Sequence, residues 1–241
     1  IRKYSLCQGP DVADRYIITV KREDHGKGGS RSLIDESAIG TQLRISAPIN
    51  DFAMKGNPTR YLFIAGGIGI TPIYSMMRTL METGGKPFKL YYLTRSPEQT
   101  AFLNELKSSE YHGKVIVHHD QGDPDKAYDL WPVLEQPRGA YLYCCGPRGL
   151  MMGVRDMTGH WPGSSVHFED FGQGDVAHQS DDRPFRVRIA DNSDTLEVPA
   201  DKSILEVLRL NDYKVPSSCE SGTCGTCRCK LIEGKADHRD L

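Results

Sequence analysis

The sequence predicts a multidomain chain: a β-rich front segment, an α/β domain built on a parallel sheet, and a small C-terminal β-grasp unit. Three observations carry this. Residues 1–48 hold β-branched, strand-like runs with little helical alternation. From residue 60 to 171, apolar strand runs alternate with stretches of helical period, the pattern of βαβ units. From residue 185 a hairpin and a capped helix lead into Cys219, Cys224 and Cys227, spaced C-x4-C-x2-C. Length allows roughly one to three domains. The changes of pattern place them at 1–56, 57–172 and 184–241, with a linker at 173–183.

Composition removes several function classes. The 241 residues carry a formal net charge of −2 and are 38% hydrophobic and 26% charged. Basic residues are dispersed, so no phosphate-tracking patch argues for nucleic acid. No apolar run reaches the roughly 18 residues of a membrane span. Seven cysteines are an odd number, and three stand at metal-ligand spacing. That argues against a disulfide framework and for a reducing, cytoplasmic setting.

In chain order, residues 16–21 (YIITVK) and 42–46 read as strands. Between them a glycine-rich turn, Gly26 to Ser32, opens a short helix at 33–37. Such a turn exposes backbone N–H groups and suits an anion, with Lys27 and Arg31 adding charge; a plain surface turn fits the same residues. The run is too short for a closed barrel, so the front of this domain is expected to be missing. Residues 51–59 form a polar connector. Residues 61–65 are a continuous apolar strand, as in a buried parallel sheet. Gly66, Gly67 and Gly69 follow, then Thr71 as N-cap and Pro72 as first helical residue. Ile73, Met76, Met77 and Leu80 give that helix its apolar face, and Gly84-Gly85 stop it.

Strands are then expected at 89–94, 114–118, 140–145 and 166–171, with helices starting at 101 and covering 128–135 and 150–157. In such sheets ligands sit at the carboxyl ends of the strands. Gly66 to Thr71, Thr94-Arg95, Cys145-Gly146-Pro147 and Phe171 all fall there. Strands at 185–189 and 195–198 pair through a polar turn. Ser203 caps a helix with Ile204, Leu205 and Leu208 inward.

The C-x4-C-x2-C spacing is the plant-type signature of a [2Fe–2S] cluster. Gly222 and Gly225, lacking Cβ atoms, let the backbone wrap the cluster. A fourth thiolate is needed, and two readings stand. Either it lies beyond residue 241, or Cys229 completes a four-thiolate zinc site. Other tempting residues carry less. His118-His119-Asp120 reads as a strand end entering a turn. His160, His167 and His238 lack partners at ligand spacing, and Tyr91, Tyr92 and Trp131 read as core.

With these motifs in place, the chain resembles the phthalate dioxygenase reductase family, reductases of Rieske-type aromatic-ring oxygenases. The resemblance runs nearly end to end: the RxYSLC opening, AGGIGITP, YYLTR, HHD-x-GDP, YCCGP, RDMTGHWP, HFE-x-FG and SILEVLR through PSSCESGTCG. It implies a flavin-binding antiparallel β-barrel, of which this chain holds part, a nicotinamide-nucleotide domain, and a plant-type ferredoxin domain. It implies FMN, NADH and a [2Fe–2S] cluster as cofactors, and a Rieske oxygenase as transient partner. By resemblance Arg2, Lys3, Tyr4 and Ser5 line the flavin, Thr19, Val20 and Lys21 follow its ribityl chain, and Lys27, Gly28, Gly29 and Ser30 take its phosphate. Gly66, Gly67, Gly69, Thr71, Thr94, Arg95, Gly146 and Pro147 become nucleotide positions. Cys145 lies beside the nicotinamide, Phe171 over the flavin, and Cys219, Cys224 and Cys227 ligate the cluster. A plant-type cluster near roughly −400 mV feeding a Rieske centre at about −150 mV or above makes the last transfer downhill. A reductase of the same architecture serving an aromatic O-demethylase, isophthalate or carnitine-type oxygenase fits the same motifs, as does, in another class, a redox-inactive zinc-binding fragment. One departure bears on nucleotide choice: Ser96 follows Arg95 where an NADH-preferring member is expected to carry an acid.

Overall fold

The computed structural model describes residues 3–24, 28–171, 182–190, 192–216 and 227–236. Of the residues singled out by the sequence, Arg2, Gly26, Lys27, Cys219, Gly222, Cys224, Gly225 and His238 lie outside them. Contacts divide the chain into two units, Ile1–Glu169 and Asp170–Leu241.

The first unit is built on five parallel strands: β1 (Arg60–Gly66), β2 (Phe88–Thr94), β3 (Val115–His119), β4 (Ala140–Cys145) and β5 (Val166–Glu169). Their order is β3-β2-β1-β4-β5. The chain steps outward from β1 to β3, then restarts on the other side at β4, so the order reverses between β1 and β4. In open α/β sheets that reversal leaves a crevice at the strands' carboxyl ends. β1 is central, and Tyr61 to Gly66 are all buried. This is why its sequence is a continuous apolar run and not an alternating one.

Helix α2 (Ile70–Glu82) packs onto this core through Ile73, Met76, Met77 and Leu80, as its periodicity requires. Gly84, at φ 63°, ends it, and the Gly85 amide reaches back to the Leu80 carbonyl at 2.8 Å. That six-to-one bond is a Schellman closure. The start of α2 corrects the sequence reading. A 3-10 turn, Gly67–Gly69, runs straight into the helix, so Gly69 is the N-cap. Thr71 lies inside the first turn, its hydroxyl donating to the Ile68 carbonyl at 3.1 Å. Pro72 still falls in the first turn, where a missing N–H costs no helical bond.

The remaining helices of this unit are α1 (Gly29–Glu36), the single turns α3 (Leu103–Leu106) and α4 (Trp131–Leu134), and α5 (Arg148–Met157). Trp131 is exposed, not core. Because α4 is only one turn, Leu134 faces inward and Trp131 stays on the outer side, 6.2 Å from the His160 ring. His119 and Asp120 do end a strand and enter a turn, in which Asp120 accepts the Gly122 amide at 2.7 Å.

In the front segment neither expected strand forms a ladder. Residues 16–21 contribute one antiparallel bridge, Leu6 to Ile18, supported by Cys7 N–H donating to Ile17 O at 2.8 Å. Residues 42–46 have no strand partner among the described residues, and Leu43 and Ile45 are exposed. β-branched composition favours a strand only where another strand is paired with it. Helix α1 starts at Gly29 and not at 33. The opening residues do pack onto the sheet unit: Cys7 is buried in its core, Ser75 donates to Gln8 O at 2.8 Å, and Arg78 bridges Asp11 and Glu82.

The second unit contains β6 (Phe185–Arg188) and β7 (Thr195–Val198), paired antiparallel, and α6 (Ile204–Leu210). Ser203 and Glu206 form a reciprocal capping box at the start of α6, which satisfies two amide donors that a helix start leaves open. The inward face is rotated from that expected: Val207 is buried, whereas Ile204 is exposed and Leu205 and Leu208 are half-buried.

Candidate functional site

Parallel register aligns the last residues of the five strands along one edge. Thr94 pairs with His119, Gly66 with Leu93, Ala65 with Cys145, and Cys145 with Glu169. The nucleotide positions named from the sequence therefore converge. Across the β1/β4 reversal two loops meet backbone to backbone. A Cβ on Gly146 would lie 2.9 Å from Gly66 Cα, and one on Gly66 would lie 2.5 Å from Pro147 Cδ. A Cβ on Gly69 would collide with the Cys145 carbonyl. These three glycines are required by contact between loops. Gly67 has a different reason: its φ is 52°, the space beside it is open, and its carbonyl accepts the Tyr92 hydroxyl at 3.0 Å. Tyr92 is fully buried, so this bond fixes the loop from below.

The crevice is suited to an anion. Helix α2 starts at Gly69 with no side-chain cap and no acid in its first turn, and α5 starts after Pro147 in the same condition. Two helix N-termini thus present amides that no side chain caps, at the place where a pyrophosphate binds in such folds. Cys145 closes the β4 side and is 1% exposed. Its neighbour Cys144 faces the opposite side of the strand, where burial pushes the thiol pKa up.

At the end of β2 a chain of hydrogen bonds sets the next loop. Thr100 Oγ1 donates to Ser96 O at 2.7 Å. Its single proton is then spent, so Thr94 must be the donor in the 2.7 Å Thr94–Thr100 pair. Thr94 in turn accepts from His119 Nδ1 at 2.8 Å. The network assigns the His119 tautomer: the proton is on Nδ1. Asp120 N–H to Thr94 O (3.1 Å) and Gln121 N–H to Arg95 O (2.9 Å) lock the two loops together. Arg95 is exposed beside Gly122.

At the other end of the edge, Glu169 meets the opening segment. Burial, with Asp51 adding to it, lifts its carboxyl pKa to about 7; Lys3 and the Ser5 hydroxyl oppose the rise. Its Oε2 and the Nε2 of His167, two residues earlier on β5, are buried without hydrogen-bond partners among the described residues. Burial, and Lys55 nearby, hold His167 below the usual histidine range, and its ring stacks on Tyr143 at 4.5 Å. Glu169 was passed over as a site residue in the sequence, and His167 was read only as lacking a partner at ligand spacing. A strand that ends in Glu at the ligand edge is the signal that points to Glu169.

The positions expected to hold the flavin form a second group within this unit. Cys7 Sγ lies 3.6 Å from Thr19 Oγ1, joining the Lys3-to-Ser5 stretch to the Thr19-to-Lys21 stretch. Tyr4 and Val20 are half-buried, and Lys21 pairs with Glu23 at 2.9 Å. Gly28, at φ 82°, caps α1 without a side chain; no acid lies in the first turn, and the Ser30 hydroxyl accepts the Glu23 amide at 3.0 Å. This turn also fits a phosphate. Phe171 lies two residues beyond β5, in the second unit. Of the three cysteines expected to ligate the cluster only Cys227 is described; it is half-buried, and Cys229 is exposed. No group of three metal-ligating side chains occurs among the described residues, and no disulfide joins described cysteines.

Comparison with known proteins agrees with this geometry. The oxidoreductase NAD-binding domain family matches residues 63–156, and the 2Fe-2S iron-sulfur cluster binding domain family matches residues 187–241. The phthalate 4,5-dioxygenase oxygenase reductase subunit of Pseudomonas putida is 52% identical over 242 residues, covering all of this chain and 74% of the relative. The phthalate dioxygenase reductase of Burkholderia cepacia is 50% identical over 241 residues with the same coverage. A solved phthalate dioxygenase reductase, described as a modular structure for electron transfer from pyridine nucleotides to [2Fe–2S], superimposes with a TM-score of 0.76 at 50% identity, covering all of this chain and 75% of that one.

Proposed function

We propose, from the premise that the chain belongs to the phthalate dioxygenase reductase family, that it is the reductase of a phthalate 4,5-dioxygenase-type system and takes NADH into the β1/β4 crevice. Members of this family are NADH-dependent oxidoreductases that pass electrons through a flavin and a [2Fe–2S] cluster to an oxygenase. The bound flavin and cluster supply the conversion of a two-electron hydride into single-electron transfers.

The protein's share is binding, orientation and exclusion of water. Gly66, Gly67, Gly69 and Thr71 open the amides of α2 to the pyrophosphate, and Gly146 and Pro147 do the same for α5. Thr94 and Arg95 lie at the neighbouring strand end, where the adenosine half belongs. Cys145 walls the crevice from solvent at the nicotinamide end. Lys3, Tyr4, Ser5, Thr19, Val20 and Lys21 hold the flavin, and Arg2, outside the described residues, is assigned to the same group. Gly28, Gly29 and Ser30, with Lys27, take one phosphate, which favours FMN over a dinucleotide flavin. Phe171 covers the flavin ring, and Cys219, Cys224 and Cys227 ligate the cluster. We read the domains as 1–56, 57–172 and 184–241 around a linker at 173–183; the two family matches fall inside the second and third. The oxygenase is a Rieske-type protein, and contact with it is brief, because a carrier must dissociate between transfers. The setting we propose is the cytoplasm, where the five described cysteines, all free thiols, stay reduced.

The observation that carries this reading is the backbone contact of the two glycine loops beneath two uncapped helix starts. It is tested by an anaerobic visible spectrum before and after NADH. Flavin bands and a broad iron–sulfur absorption, both bleached by NADH, are expected. Flavin bleaching alone removes the cluster assignment, and a colourless protein overturns the redox reading.

A further inference from the structure

Ser96 stands where an acid was expected to read the ribose 2′-hydroxyl, yet the family uses NADH. We propose that Glu98, carried on the turn after β2, supplies that carboxylate and excludes a 2′-phosphate. This inference rests on the nucleotide site described above.

The turn follows directly on the carboxyl end of β2, at the crevice edge. Ser96 leaves β2 extended, and Pro97–Gln99 form one 3-10 turn closed by Gln99 N–H to Ser96 O at 3.1 Å and Thr100 N–H to Pro97 O at 3.1 Å. The buried hydroxyls of Thr94 and Thr100 tie that turn back onto the strand end, and His119 Nδ1–H anchors Thr94 in turn. The carboxylate is therefore carried on a tied-down turn, three residues after Arg95 in sequence. The Ser96 hydroxyl, the Glu98 backbone amide and the His119 ring hold the Glu98 carboxyl below the usual carboxylate range, favouring the ionised form. A carboxylate accepts a hydrogen bond from a ribose hydroxyl and repels a phosphate dianion, so one group serves both selections. Ser96, by holding Glu98, keeps a part in the recognition expected of an acid in its own position. His119 is a positioning residue: it acts through Thr94 on the turn.

The test measures binding to the purified holoprotein by titration calorimetry, with adenosine 5′-monophosphate and adenosine 2′,5′-bisphosphate as probes. Parent protein is expected to prefer the monophosphate. E98Q, an exposed and isosteric change, is expected to shrink that preference about tenfold, the size of a single like-charge contact, mainly by tighter binding of the bisphosphate. H119F, which removes the donor to Thr94, is expected to weaken both probes, and H119N, which keeps a donor at the Nδ1 position, to restore them. R95A separates the two levels of the argument. If R95A weakens both probes while E98Q leaves their ratio within twofold of parent, the Glu98 assignment is wrong and the site stands. If R95A, H119F and E98Q all leave both affinities unchanged, the nucleotide site itself is misplaced.

Discussion

The carboxyl edge of the parallel sheet and the front segment, residues 3–59, contain similar residue types with opposite outcomes. Both hold apolar β-branched runs and glycine turns. In β1 the run Tyr61 to Ala65 is buried between two parallel partners. In the front segment Leu43, Ile45 and Ile49 are exposed, and a single bridge stands in for a ladder. The glycines divide the same way. Gly66, Gly69 and Gly146 are in contact with another backbone or side chain, whereas Gly28 and Gly40 have left-handed backbones beside open space. A strand sequence is thus only a capacity to pair, and a glycine's meaning depends on what approaches it.

The largest expected effect, stability and NADH binding lost together, tests the glycines. Gly69→Ala places a methyl against the Cys145 carbonyl, which is backbone and cannot swing away. We expect a loss of about 3 kcal/mol in urea unfolding, at the upper end for overpacking, together with loss of NADH binding. Gly40→Ala pays only for its φ of 91°, about 1 kcal/mol, with NADH affinity unchanged. Equal losses for the two variants would erase the distinction between contact glycines and turn glycines.

Much of the sheet edge was legible in the sequence because its signals are local. A strand run followed by glycines and a helix start gives Gly66 to Thr71, and the YCCGP turn gives Cys145 to Pro147. What one strand cannot show is register with another. His119 looked like a strand end and is one, but its bond to Thr94 depends on the β2–β3 pairing. Trp131 was misjudged because helix length, not hydrophobicity, decided which side of α4 faced inward. The N-cap was placed at Thr71 because Thr-Pro is a strong local start signal, whereas the 3-10 turn ahead of it is held by Tyr92 from a different strand.

A second contrast within the sheet edge is electrostatic. At the β2 end Glu98 is exposed and held ionised, whereas at the β5 end Glu169 is half-buried, with its Oε2 out of solvent, and its pKa is raised from 4.5 to about 7. A carboxyl group whose folded pKa lies above its unfolded value binds protons more tightly in the native state. It imposes no penalty below about pH 4.5, and stability falls as pH rises toward 7. A shift of this size corresponds to at most about 3 kcal/mol, and less in practice because the group is not fully buried. Glu169→Gln is expected to flatten stability between pH 5 and 8 in denaturant titrations, while Glu98→Gln leaves that slope alone. An unchanged slope in Glu169→Gln would mean that the carboxyl is solvated. His167 contributes the opposite sign: kept neutral by burial and Lys55, it costs stability as pH falls through the ordinary histidine value.

The smallest effect probes the front segment directly. Leu62, fully buried in β1, and Ile45, exposed at residues 42–46, are both truncated to alanine. Leu62→Ala removes side-chain volume from a core with close neighbours on every side and is expected to cost roughly 2–5 kcal/mol. Ile45→Ala removes surface already in water and is expected to change stability by less than about 0.5 kcal/mol. The comparison is sharper if both are measured with and without FMN. Leu62 lies in the central strand of the sheet, and its penalty is expected to be the same in both conditions. If Ile45→Ala becomes costly only with flavin present, the front segment acquires its packing from the ligand, and its strand-like sequence is explained by the holoprotein. If it is costly in both, residues 42–46 have a protein partner, and their exposure does not describe the chain in solution.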